Sequence, residues 1–108
     1  MDILTITEKR GANYLLLELG GVITSYSFSD FKIKAYSYIQ ETNLVVDLSN
    51  VQTIDSSGLG VLMAVHNDGE ESGHKFYLMN PSVDAFNAIN STGFMDTFNV
   101  IHSATEVV

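Results

Sequence analysis

The sequence predicts an α/β fold, a mixed β-sheet with helices packed mainly on one face, and three features predict it. A hairpin pattern opens the chain. Apolar runs of strand type then alternate with stretches of helical spacing, and parallel strands need such crossovers. At the centre, Leu44-Val45-Val46-Asp47-Leu48 is followed by Ile54-Asp55-Ser56-Ser57-Gly58-Leu59-Gly60-Val61-Leu62, an apolar strand leading into a small, polar helix start.

Taken in order, Ile3 to Glu8 alternates Ile3, Thr5 and Thr7 with Leu4 and Ile6, and Tyr14 to Leu19 is a second β-type run. Lys9-Arg10-Gly11-Ala12-Asn13 supplies turn chemistry between them, which predicts a hairpin. Gly20-Gly21 is expected to end the second strand. Val22-Ile23-Thr24 then leads through the hydroxyl-rich Ser25-Tyr26-Ser27 into a helix. Phe28, Phe31, Ala35, Tyr38 and Ile39 recur at helical spacing, so Ser27 or Ser29 is expected to cap an amphipathic helix running to about Gln40. An aromatic stripe so spaced reads as core, not as a cofactor site.

After the central strand, Leu59, Leu62, Met63 and His66 mark one side of a second helix, broadened by Val61 and Val65 and ended by the stretch from Asn67-Asp68-Gly69 to Ser72-Gly73. Lys75 to Met79 is a further strand. Pro81 breaks it before a short helix carrying Val83, Phe86 and Ile89. Gly93 stands where a left-handed helix terminator is expected, with Phe94 folding back on that helix. Phe98 to Ile101 makes a last short strand, and Ala104 to Val108 the start of a terminal helix. One residue from each main element, Leu16, Phe31, Val46, Leu62, Leu78 and Phe86, is predicted to be core.

A chain of 108 residues fits one domain, 1–108, that buries roughly two-thirds of its unfolded surface. Without cysteine there are no disulfides and no thiolate chemistry. A net charge of −8 with only five Lys and Arg argues against direct binding to nucleic acid, and equally against an anionic lipid surface. Met1-Asp2-Ile3-Leu4-Thr5 shows no basic segment before an apolar run, and no stretch approaches membrane-spanning length. The expected location is the cytoplasm.

Asp55, Ser56 and Ser57 are residue types that cap a helix by accepting its free N–H groups, a contribution of about 1 kcal/mol that needs no partner. The same residues also present two hydroxyls beside a carboxylate at an exposed helix N-terminus, a place a kinase can reach and a phosphate would alter strongly. Gly58 and Gly60 are unfavourable inside a helix by about 1 kcal/mol each relative to Ala. Close approach of another backbone explains them, whether from the sheet beneath or from a partner above.

Enzyme chemistry finds little support. Gly-x-Ser-x-Gly is absent, and His66, His74 and His102 are scattered without metal-ligand spacing. No Gly-x-x-x-x-Gly-Lys loop exists, so no cofactor is expected and any ATP would arrive with a partner.

Asp55-Ser56-Ser57-Gly58-Leu59-Gly60, with the strand before it and Val51 to Ile54 in register, resembles the phosphorylation-site segment of the bacterial anti-sigma-factor antagonists of the STAS domain family. Looser similarity covers nearly the whole chain: the opening hairpin, Gly20-Gly21-Val22-Ile23, Asn80-Pro81-Ser82-Val83 and Ser91-Thr92-Gly93-Phe94. The resemblance implies that Ser56 is the phosphoacceptor. It implies a docking surface of Thr24, Asp55, Ser56, Ser57, Gly58, Leu59 and Met63. Ser57 is the neighbouring alternative acceptor, but its hydroxyl is expected to belong to the first helical turn and satisfy local N–H groups there. It also implies two partners, an anti-sigma factor with serine kinase activity and a serine phosphatase that acts on the phosphorylated form. Thr24 departs from the pattern, because many phosphorylated relatives carry an aspartate there and threonine removes that charge. The resemblance equally admits an unphosphorylated binding module, such as a small subunit of a lipid-transport ATPase or a scaffold in a sensory complex.

Overall fold

A computed structural model describes residues 3–107; the expectations for Met1, Asp2 and Val108 lie outside it. The order is β1 (Leu4–Arg10), β2 (Tyr14–Ile23), α1 (Ser29–Ile39), β3 (Asn43–Ile54), α2 (Ser56–Ser72), β4 (Phe76–Met79), α3 (Val83–Asn90) and β5 (Asn99–Ile101), with 3-10 turns at Met95–Thr97 and Ala104–Glu106. The strands lie in one sheet in sequence order, β1 antiparallel to β2 and every later pair parallel. Crossovers of one hand stepping one way across a sheet leave their helices on the same side.

Strand periodicity sorts the two faces. Leu15, Leu17, Leu19, Leu44, Val46, Leu48, Phe76 and Leu78 point into the main core, where they meet Phe31, Ala35 and Ile39 of α1, Leu62 and Val65 of α2, and Ala85 and Ile89 of α3. The alternate residues Leu16, Val45, Tyr77, Met79 and Ile101 face the other way, in a small cluster closed by Val107. Leu16 is thus buried as expected, but on the face that carries no helix. The terminal segment over that face is a 3-10 turn with Val107 extended rather than an α-helix. A capping box between Ser103 and Glu106 holds it, and Asn13 Nδ2 donates to the Val107 carbonyl at 3.3 Å.

Other expectations are corrected by long-range contacts. Gly20-Gly21 does not end β2: β1 pairs with both glycines, and β3 pairs onward to Ile23. Two register shifts against β3 flank the glycines, and Gly21, at φ 102°, takes a conformation that disfavours any side chain. Neither Ser27 nor Ser29 caps α1. Phe28 occupies that position without a side-chain bond, because the Ser27 hydroxyl donates to the Val22 carbonyl at 2.7 Å and accepts the Thr24 N–H at 3.0 Å.

Phe86 is not core: it is 43% exposed, and Val83 is 77% exposed. The rotation of α3 is set from outside the helix. Ser82 accepts the Ala85 N–H at 3.1 Å and donates to the Val51 carbonyl at 2.6 Å, which turns Ala85 and Ile89 toward the sheet and Phe86 outward. Gly93 has the expected positive φ, 80°, but closes a turn three residues beyond the end of α3, and Phe94 stands 53% exposed. Phe98 precedes β5 and lies edge-on to Phe76 and to His66.

Candidate partner-binding and phosphorylation site

The central strand β3 ends at Ile54 and the chain turns into α2 through Asp55, whose backbone is extended. Its N–H donates to the Ile23 carbonyl at 3.1 Å, so the end of β2 fixes where the helix begins. Asp55 is the cap: Oδ1 accepts the Gly58 N–H at 2.8 Å. Oδ2 accepts the Ser25 N–H at 3.4 Å, so one carboxylate joins the β2–α1 loop to the start of α2. The loop containing Thr24 therefore adjoins the Ser56 helix start.

With capping done by Asp55, both serines stand free on the first turn. Ser56 and Ser57 are exposed and neither hydroxyl makes a hydrogen bond to the described residues, including any of the three histidines. The expectation that Ser57 satisfies local N–H groups is therefore not met. A helix N-terminus keeps amides without an intrahelical acceptor, and α2 has no acidic side chain in its first turn. A phosphate on Ser56 would find the favourable end of the helix dipole.

The β2–α1 loop is held tightly. Thr24, half-buried, accepts the Ser27 and Phe28 N–H groups at its carbonyl, and its hydroxyl accepts the Tyr26 N–H at 3.2 Å. Tyr26 is 88% exposed at the tip. In sequence Tyr26 is one more residue of a hydroxyl-rich loop, and its exposure makes it a large side chain available to a partner.

The two helix glycines separate cleanly. A Cβ at Gly58 would lie 2.7 Å from the Ile23 carbonyl oxygen and 2.9 Å from the Ile23 and Ile54 side chains, so the sheet requires glycine there. At Gly60 a Cβ would meet nothing within 4 Å. Leu59 and Met63 are half-buried along the same helix, packed against the main core.

The histidines sit apart from this site. His66 Nε2 lies 3.7 Å from Glu70, and His74 Nδ1 lies 2.7 Å from the Ile39 carbonyl oxygen. Among the described residues, no group of three or more His, Asp or Glu side chains is placed to hold a metal ion. No helix among them is long and apolar enough to cross a membrane.

A one-sided α/β sheet whose central strand runs into an exposed, serine-bearing helix start defines the class of domain. The chain belongs to the STAS domain family, whose domain matches residues 4–106. Among solved structures it is similar to the anti-sigma factor antagonist SpoIIAA in its unphosphorylated form, at a TM-score of 0.77 and 15% identity over 94% of this chain and 91% of that one. An anti-sigma factor antagonist from Mycobacterium paratuberculosis matches at 0.74 and 21% identity, over 95% and 89% of the two chains. The murine anion transporter Slc26a9 matches at 0.72 and 19% identity over 90% of this chain, which corresponds to 17% of the transporter. At these identities the likeness extends to the fold.

Proposed function

We propose that this protein is an anti-sigma-factor antagonist whose binding is switched by phosphorylation of Ser56. The observation that carries this reading is the free, exposed Ser56 hydroxyl beside an Asp55 carboxylate that is itself committed to Gly58 and Ser25. Capping does not need the serine, so its hydroxyl is open to chemistry. The membership in the STAS family and the likeness to two antagonists support the same reading.

In this mechanism the unphosphorylated protein binds a cytoplasmic anti-sigma factor with serine kinase activity, and the sigma factor is released. The kinase brings ATP. The Ser56 oxygen attacks the γ-phosphorus, its proton leaves to solvent or a kinase base, and the bond to ADP breaks. The new phosphate carries nearly −2 charge at the dipole-favoured end of α2, so the fold tolerates it. In the complex the same group would be desolvated next to Asp55 and would occupy the partner's space, and about 2.7 kcal/mol of such repulsion corresponds to a hundredfold loss of affinity. A serine phosphatase restores the hydroxyl by hydrolysis.

Phosphotransfer from radiolabelled ATP by the host's anti-sigma kinases tests the assignment. Label should enter the wild type and Ser57→Ala and be absent from Ser56→Ala; label retained in Ser56→Ala would reject Ser56 as the acceptor. The second reading, an unphosphorylated binding module within a larger complex, draws on Thr24 in place of an acidic residue and on the transporter that contains this fold. Phosphoserine missing from protein isolated from its native host, in growth and under stress, would favour it.

A further inference from the structure

We propose that this protein forms a symmetric dimer by pairing β1 with the β1 of a second copy, antiparallel and centred on Thr7. The pairing uses the outer edge of the sheet and does not depend on what docks at Ser56.

The backbone hydrogen bonds identify the edge. β1 is an outer strand of seven residues with β2 on one side only. Its phase is set at both ends: the Val22 N–H donates to the Ile3 carbonyl at 3.1 Å, and the Gly11 N–H donates to the Tyr14 carbonyl at 3.0 Å. In an antiparallel pair, such hydrogen-bonded positions alternate with positions whose backbone groups turn away from the neighbour. β1 keeps one register throughout, so Thr5, Thr7 and Lys9 bond inward to β2 while Leu4, Ile6, Glu8 and Arg10 turn their N–H and carbonyl groups outward. Among the described residues none bonds to those outward groups.

Native sheets blunt such edges with short strands, proline, bulges or charge. β5, the opposite edge, is only three residues long, and beside it the Ile101 carbonyl accepts the Asn80 N–H and Glu106 accepts the His102 N–H. β1 has neither proline nor bulge, and its charges, Glu8, Lys9 and Arg10, are gathered at one end.

That lopsided strand is complementary to itself. Antiparallel pairing about Thr7 sets Leu4 opposite Arg10, Thr5 opposite Lys9, Ile6 opposite Glu8, and Thr7 opposite the same residue of the second copy. Outward residues then meet outward residues, every free backbone group finds a partner, and no charge lies directly opposite a like charge. Glu8 is in addition already bonded by Lys34 and Tyr38 of its own chain. The charge distribution directs a second copy to the same edge. The chain carries −8 overall, yet four of its five basic residues, Lys9, Arg10, Lys32 and Lys34, lie on β1 and α1. Two copies therefore repel least when they approach through β1.

The two-fold axis stands normal to the sheet, so the helices of both copies cover the same face of one continuous sheet. β3 runs antiparallel to β1, which places the two Ser56 helix starts at opposite ends of that sheet, both accessible. One strand edge, roughly 23 Å long at about 3.3 Å per residue, is a small interface, so the dimer forms at high concentration and exchanges rapidly.

The test is sedimentation equilibrium of the whole chain from about 10 μM to about 1 mM in roughly 0.15 M salt, with amide exchange followed by NMR over the same range. Wild type should pass from monomer to dimer, and exchange at Leu4, Ile6, Glu8 and Arg10 should slow with concentration while that at Thr5, Thr7 and Lys9 does not. Thr7→Lys sets two ammonium groups opposite each other on the axis and should weaken the dimer at least tenfold. Its melting temperature should match wild type, because Thr7 is exposed. Thr7→Cys gives the chain its sole cysteine and should form a disulfide-linked dimer on mild oxidation, since residues facing each other at such a position are about 4.5 Å apart at Cα; Thr5→Cys should not. A chain that stays monomeric throughout, or a dimer that Thr7→Lys leaves intact, would overturn the proposal. Slowed exchange at the four outward amides that appears only when an anti-sigma kinase is added would assign the edge to a partner's strand and overturn it equally.

Discussion

Asp55 holds Ser25 across the site: its Oδ2 accepts the Ser25 N–H at 3.4 Å while its Oδ1 caps Gly58 at 2.8 Å. Two loops separated by a strand, a helix and a turn are thereby kept in one arrangement. Asp55→Ala should cost about 1 to 2 kcal/mol in urea unfolding from the lost cap, and should shift the Ser25 amide resonance. Asp55→Asn, which keeps a side-chain oxygen for Gly58, should cost less. An Asp55→Ala protein of wild-type stability would show that the cap is not made.

The two glycines of α2 should respond oppositely to alanine. Gly58→Ala forces a methyl against the Ile23 carbonyl and the Ile54 side chain and should destabilise by about 1 to 3 kcal/mol. Gly60→Ala places its methyl in open space and should stabilise by up to about 1 kcal/mol. Equal responses in chemical denaturation would contradict the packing described.

The outward rotation of α3 makes a similar contrast. Ile89→Ala should lose about 2 to 5 kcal/mol, as a fully buried aliphatic does, whereas Phe86→Ser should change stability by less than about 1 kcal/mol. Comparable losses at both positions would restore Phe86 to the core.

Glu106 anchors the terminal turn electrostatically. Its carboxylate accepts the N–H groups of His102 and then Ser103, which together hold its pKa below the usual glutamate value. Because the folded value lies below the unfolded one, the stabilisation is present above the unfolded pKa of about 4.3 and is lost as pH falls through the folded pKa. Glu106→Gln should remove that part of the acid dependence while leaving stability near pH 7 to be set by the remaining hydrogen bonds. A side-chain carbon titration of Glu106 with an ordinary midpoint would refute the assignment. Glu8 is shifted the same way, by hydrogen bonds from Lys34 and then Tyr38.

Much of this arrangement was legible from local pattern. Period-two and helical spacings marked the strands and helices, and Asp55-Ser56-Ser57 marked the start of α2, because those signals reside within a few neighbouring residues. The misreadings have a common cause. Gly20-Gly21 lies within β2 rather than ending it because β1 pairs with both glycines and β3 pairs on to Ile23. Phe86 faces outward because Ser82 is tied to Val51, thirty-one positions away. Ser27 was spent on Val22 instead of capping α1. Gly58 and Gly60 read alike as helix glycines, and only the packing of Gly58 against Ile23 and Ile54 at the strand ends distinguishes them.

A phosphate on Ser56 should abolish a binding activity that the free hydroxyl permits. Isothermal titration of the same anti-sigma kinase against unmodified and fully Ser56-phosphorylated protein tests it most directly. Binding should be at least a hundredfold weaker after phosphorylation, with an unchanged circular dichroism spectrum, since the helix start accommodates the charge. Equal affinities for the two forms would contradict it.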